Sequence, residues 1–376
     1  MFSLRRFLIL MSVLMALSIA LVACGDDDDD DDAGGNGAGD APTEASNGDT
    51  GDVTYEGTIT FGDYGWDSAI VHNRIAQYII ENGWDIETDQ VAGETITLFQ
   101  GLVNRDIDVS MEIWVDQQPQ FEPEVEAGSI VDYGPNYPNS IQGWRVPTYM
   151  IEGDEERGIE PTLDGPLSIE DLKRPEIVEL FEDPEDPDKG RFYDCIAGWE
   201  CQRVNESKFE FYGLNEHYNR FQPGSGAALA TSLVSAYNNG EPWFGYYWAP
   251  TWVFGVVDLT MIEEDPYTEE CFDAVQDAEG NPTGEAGCAY PSVAVHKAVN
   301  TGFEAEAPQE ILDFIAAYET TMEQNNEFLF YMNENDIQEH EVAAIWFLQN
   351  NPEWKDWVPD DVADKVQAAL DAEDIP

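Results

Sequence analysis

Between Thr58 and Trp114 the sequence alternates strand-like and helix-like text, and no other feature restricts the fold as strongly. TITFGDYG begins as a short strand, and WDSAIVHNRIAQYIIEN (66–82) carries apolar positions at helical spacing that stop before Gly83. WDIETDQV reads as a strand, ETITLFQGLVNRD as a helix, and IDVSMEIW as a strand carrying Trp114 at its end. Such alternation predicts an α/β fold with a parallel sheet and ligands at the carboxyl ends of its strands. PLSIEDLKRPEIVELF, capped by Ser168 with Asp171 three residues on, and GSGAALATSLVSAYNNG are two further expected helices. From Pro308 the chain turns mostly helical, through EILDFIAAYETTM, EHEVAAIWFLQNNP and DDVADKVQAALDA. Residues 57–376 are too many for one small core and suit two lobes. There is no internal repeat.

The N-terminus sets the compartment. Arg5 and Arg6 precede the apolar run FLILMSVLMALSIALVA, and LVAC ends at Cys24, a spacing that predicts a signal peptide over residues 1–23. LVAC resembles the bacterial lipobox, whose Cys is acylated; an uncleaved membrane anchor is the alternative, and either exports the rest of the chain. Seven consecutive Asp, 26–32, then open a Gly/Ala/Ser/Asn/Thr-rich stretch that reads as an acidic, disordered tether over residues 24–56. A metal site in the Asp run would need a preorganised cage that a flexible tail does not supply. The formal net charge of −61 argues against nucleic acid and anionic membrane surfaces as partners and suggests a salty environment that screens the self-repulsion.

With Cys24 assigned to lipid, Cys195, Cys201, Cys271 and Cys288 form an even set in an oxidising compartment. Three pairings exist; Cys195 with Cys201 and Cys271 with Cys288 close two short loops, and this is the expected one. A zinc site is the alternative, without an adjacent His to support it. The four His (72, 217, 296, 340) form no metal-spaced pair, and no hydrolase or phosphate-loop motif is present, so neither a catalytic residue nor a cofactor is expected. Chance carboxylate pairs are inevitable among 77 acids and carry no information.

Seven of the twelve residues in WFGYYWAPTWVF (243–254) are aromatic. With Pro250 inside it the run is a poor helix and a plausible strand-to-loop rim. Its rings suit either core packing or a cation that donates no hydrogen bond, such as a quaternary ammonium.

Three segments in order, EIWVDQQP, CIAGWECQ and YYWAPTWV, together with the C-terminal EVAAIWFLQNNPEW, resemble the substrate-binding proteins of glycine betaine and proline betaine ABC importers across residues 57–376. The resemblance implies a type II periplasmic-binding-protein-like fold with two crossovers and a ligand cleft between lobes. Lobe 1 would comprise residues 57–147 and 294–376, and lobe 2 residues 148–293. It places Trp114, Trp199 and Trp248 around a trimethylammonium group and sets the backbone N–H groups of Glu200 and Cys201 on the ligand carboxylate, in a turn stiffened by the Cys195–Cys201 bridge. Some members carry a His four residues after the first cage Trp; here Gln118 stands there, an uncharged donor. Arg145 is read either as a charge for the carboxylate or as a surface salt bridge, and Trp66 as a fourth wall or a core residue, while Trp252 is assigned to packing. An ABC permease would be the partner, with the lipid anchor on the extracytoplasmic side of the membrane. A carbohydrate-binding lipoprotein stacking sugars on Trp is the rival reading, and a lipoprotein hydrolase a weaker one.

Overall fold

A computed structural model describes Val53 and residues 55–376. The expected signal peptide, Cys24 and all of the tether but Val53, Tyr55 and Glu56 lie outside the described residues. Val53 and Tyr55, assigned to the tether, are partly buried against the core of the first sheet, and Tyr55 meets Phe303 edge-on at 6.3 Å.

Two sheets organise the chain. The first holds β1 (Ile59–Tyr64), β2 (Thr88–Gly93), β3 (Val109–Ile113), β4 (Ile130–Tyr137) and β11 (Val295–Asn300) in the order β2-β1-β3-β11-β4. The expected parallel pairing holds for β2-β1-β3, whose helices Asp67–Trp84 and Thr95–Asn104 return the chain to the same end. The late strand β11 then joins antiparallel to β3 and β4, so the sheet is mixed. The second sheet holds β5 (Ile141–Pro147), β6 (Glu182–Asp183), β7 (Asp186–Tyr193), β9 (Gly245–Ala249) and β10 (Leu259–Met261) in the order β10-β5-β9-β7-β6, with β8 (Tyr218–Phe221) paired to β7.

This pairing moves one expected boundary. The expected lobe 1 extends to residue 147, yet β5 pairs antiparallel with β9 and β10, so the first passage between sheets falls at residues 138–140. The return precedes Val295, beside the expected Ala294, and the two passages touch where Ser140 N–H donates to Val293 O at 2.8 Å.

Local chemistry explains two further differences. The first helix runs through Gly83 to Trp84 and closes on Asp85 in the left-handed region at φ 57°. Gly83 is an accommodation rather than a stop, because a Cβ there would sit 2.6 Å from Val362 Cγ1 of the C-terminal helix packed on it. PLSIEDLKRPEIVELF is split: Ser168 and Asp171 do bond reciprocally, but Pro175 holds Arg174 extended (φ −71°, ψ 131°), leaving a 3-10 turn at Asp171–Lys173 and a short helix at Pro175–Leu180. The C-terminal helices are Gln309–Ala317, Met322–Glu334, His340–Asn350 and Asp360–Leu370, of which Met322–Glu334 was missed because its polar text lacks a clean apolar stripe. They bury Ile311, Phe328, Phe347 and Val366 against the first sheet, while Trp144, Phe192, Phe209 and Leu233 centre the core of the second.

Candidate functional site

β1 and β3 are parallel neighbours, so the residues just past their carboxyl ends stand side by side. These are Trp66, the extended N-cap of the first helix, and Trp114. The second sheet supplies Trp248 from β9 and Trp199, the N-cap of the helix Glu200–Phe211. The rings meet across the two sheets: Trp66 lies edge-on to Trp199 at 5.2 Å, and Trp199 edge-on to Trp248 at 5.1 Å. They line one cavity, with Tyr64, Phe99, Glu112, Gln117, Gln118, Glu200, Cys201 and Tyr246 among the other walls.

Seven of the eight ligand-site residues expected from sequence therefore converge: Trp66, Trp114, Gln118, Trp199, Glu200, Cys201 and Trp248. Arg145 does not. In β5 it pairs with Gly245 and Met261, whereas Gln142 pairs with Trp248 and Trp144 with Tyr246, so strand alternation puts Arg145 on the opposite face. Nor does it form an ion pair among the described residues: it is buried, its guanidinium lies over the Phe254 ring at 4.8 Å, and burial pulls its pKa down to about 10. The aromatic run divides between two settings, with Trp243 and Phe244 in the core and Tyr246 and Trp248 lining the cavity.

The turn before the helix Glu200–Phe211 is heavily braced. Cys195 and Cys201 are bridged, as are Cys271 and Cys288, so the local pairing expected from sequence is the one formed. Asp194, fully buried, accepts from Cys195 N–H and Asn205 Nδ2, each at 2.7 Å, and pairs with Arg220 at 2.9 Å. Gly198 is required twice over: it sits at φ +96°, and a Cβ there would come within 2.9 Å of Glu94 Cβ from the first-sheet side. The N–H groups of Glu200 and Cys201, at the first turn of this helix, donate to no acceptor among the described residues and form part of the positive end of its dipole.

The lining includes two carboxylates, Glu112 and Glu200, and no Lys, Arg or His. Burial pushes Glu200 up to about 6 against the pull of Arg203 and Gln276, and raises Glu112 against donors from Trp66 and Trp114. Sequence reading missed Glu112, Tyr64, Gln117 and Tyr246. The available signals were a charge inside the otherwise apolar strand VSMEI and the two-residue spacing of Tyr246 from Trp248.

Beneath the cavity a polar cluster joins the sheets. Gln142 Oε1 accepts from Gln117 Nε2 at 2.7 Å and from Tyr246 OH at 2.8 Å, and Gln142 Nε2 donates to Asp116 Oδ2 at 2.9 Å. Asp116 Oδ1 is sealed from solvent without a partner among the described residues, and burial pushes this carboxyl up to about 7. An acid raised in the folded state keeps its proton there at pH values where the unfolded chain has lost it. Its contribution to stability is thus full below about pH 4 and is lost as pH rises towards 7. Asp116→Asn should flatten that part of the curve, seen as a smaller drop in urea midpoint between about pH 4.5 and about pH 7.5 than wild type shows.

A two-sheet α/β protein with an aromatic cavity where the sheets meet has the architecture of a solute-binding protein. The match to the model of the substrate-binding domain of ABC-type glycine betaine transport systems covers residues 57–349, and the chain belongs to that family. It is a family of transport binding proteins, not of enzymes. The glycine betaine/proline betaine-binding periplasmic protein of Escherichia coli (strain K12) is 24% identical over 52% of this chain and 60% of its own length. OusX, the glycine betaine-binding periplasmic protein of Dickeya dadantii (strain 3937), is 32% identical over 24% of this chain and 26% of its own. The chain thus matches less than two thirds of either relative. Among solved structures, the glycine betaine, L-proline ABC transporter binding protein ProX of Borrelia burgdorferi superposes with a TM-score of 0.63 at 20% identity, covering 82% of this chain and all of that one. A choline-binding protein in complex with choline gives 0.62 at 20% identity, covering 83% and 98%. These likenesses establish the type II binding-protein fold.

Proposed function

We propose that this protein is an extracytoplasmic solute receptor that holds glycine betaine or a related quaternary ammonium osmolyte between Trp66, Trp114, Trp199 and Trp248 and delivers it to an ABC permease. The carrying observation is the convergence of four indoles, two from each sheet, on a cavity whose lining bears carboxylates and no base. Ring faces attract a cation that offers no proton, at about 0.5–2 kcal/mol per contact when dry. The free N–H groups of Glu200 and Cys201 suit a carboxylate or hydroxyl at the ligand's other end, with Gln118 as an uncharged partner. The lobes would be residues up to about 138 with the segment from about 294, and the segment between, closing by a hinge at the two touching passages. Sugar stacking finds no support: these rings stand edge-on to one another rather than as an open platform.

Calorimetric titration with glycine betaine, proline betaine, choline, carnitine and neutral oligosaccharides tests the reading. Heat is expected from quaternary amines without turnover, and binding of oligosaccharides alone would overturn it. A tert-butyl isostere of the best ligand, alike in shape but uncharged, should bind clearly more weakly.

The tether and Cys24 support anchoring by acylation. Cys24→Ala should move the protein from the membrane to the soluble fraction with its ligand affinity unchanged. Retention after a high-salt wash would point to an uncleaved apolar segment instead.

A further inference from the structure

Every residue of β3 is buried, and one of them is a glutamate. Glu112 Oε1 accepts from Trp66 Nε1 at 2.6 Å, Trp114 Nε1 at 3.0 Å and Ser68 Oγ at 3.1 Å. A single oxygen thus gathers both first-sheet indoles by their N–H edges. Among the described residues Oε2 makes no well-formed hydrogen bond, the Tyr137 hydroxyl being the one further donor beside this carboxylate. The basic side chain nearest to it is His72, whose Nε2 stands 3.9 Å away and is itself unpaired, its Nδ1 being engaged with Tyr318 OH at 2.8 Å. Burial pushes His72 down to about 3, so it is neutral at physiological pH. Among the described residues no Lys or Arg pairs with Glu112, which leaves a buried carboxylate at the cavity wall without a counter-charge. Such a charge is costly to a protein unless something compensates it.

Resting on the quaternary ammonium reading, we infer that Glu112 is a positioning and specificity-determining residue. It clamps the indoles of Trp66 and Trp114 into one constellation, and its uncompensated charge makes the cavity prefer a cation to a neutral molecule of the same shape. The aromatic faces supply part of that preference; Glu112 supplies a carboxylate whose charge the rings lack, favoured by its indole and hydroxyl donors and by a bound cation against the burial that raises its pKa. The bound cation is its counter-ion.

Glu112→Gln retains an amide oxygen that accepts from the indoles and deletes the charge. Its affinity for choline should fall roughly ten-fold or more, as expected for loss of a unit charge lining a low-permittivity site. Affinity for 3,3-dimethylbutan-1-ol, the uncharged isostere, should stay within about three-fold, the scale of one altered neutral hydrogen bond. Equal loss for both ligands, or none for either, overturns the charge role. Trp66→Phe keeps a ring face and Glu112 while removing one N–H donor; because Phe attracts a cation less than Trp does, it should weaken both ligands and narrow the cation preference, but by less than Glu112→Gln. The clamp has its own readout on ligand-free protein. Two indole N–H resonances, assigned by Trp66→Phe and Trp114→Phe, should exchange slowly with solvent in wild type and rapidly in Glu112→Ala. Unchanged exchange in Glu112→Ala overturns the clamp whatever the ligand. Wild type that binds no quaternary amine would sink the receptor reading and the charge role together, while the exchange experiment still judges the clamp.

Discussion

Trp199→Leu should bind a quaternary ammonium ligand about ten-fold or more weakly while the protein still folds. Trp199 touches an indole from each sheet, edge-on to Trp66 and to Trp248. Losing its face removes one contact of about 0.5–2 kcal/mol and loosens the two that lean on it, and 1.4 kcal/mol is already ten-fold. Leu retains much of the apolar volume, so the urea midpoint should change less than the affinity. Trp114→Leu and Trp248→Leu should follow the same order with smaller losses. Were these rings merely core, the order would reverse, because truncating a buried Trp commonly costs several kcal/mol of stability. Calorimetry and urea unfolding on the same preparations decide between the two.

Glu264→Ala should destabilise the fold by about 3–5 kcal/mol and leave ligand affinity per folded molecule unchanged. Lys208 is fully buried in the second-sheet core, and its Nζ lies 2.7 Å from Glu264 Oε1. The same ammonium sits over the rings of Tyr290 at 4.2 Å and Trp144 at 4.6 Å, a small aromatic box occupied by the protein's own cation. Burial lowers the pKa of Lys208 and raises that of Glu264, each held back by the other. Removing the acid strands the ammonium in a dry core, and the rings offset only part of that cost. The pair Lys208→Met with Glu264→Leu removes both charges together and should recover most of the loss. A single variant as stable as wild type would show that Lys208 discards its proton at little cost.

Much of the fold was legible because its rules are local. Apolar spacing exposed the first two helices, and the parallel run β2-β1-β3 followed from their alternation with strands. Trp114 ends a predicted strand, the place where ligands meet such sheets. The disulfides were legible because both close short loops, of 6 and 17 residues in separation. Gly83 and Pro175 misled in opposite ways. The glycine is set by a helix some 280 residues further on, and the proline acts on its immediate neighbour.

The sequence by itself determined the first two helices with the strands around them, the strand-end position of Trp114 and the pairing of the cysteines, since each depends on residues within a turn or a short loop. Only the tertiary structure decided which sheet β5 joins, and with it the passage at 138–140, because its partners β9 and β10 lie about a hundred residues away. That pairing turned Arg145 from the cavity, for strand parity means nothing until a neighbour fixes which face is inward. It likewise decided Glu112: three donors converge on it, two of them from residues 46 and 44 positions earlier, and no local pattern announces a charge held by neighbours that far off.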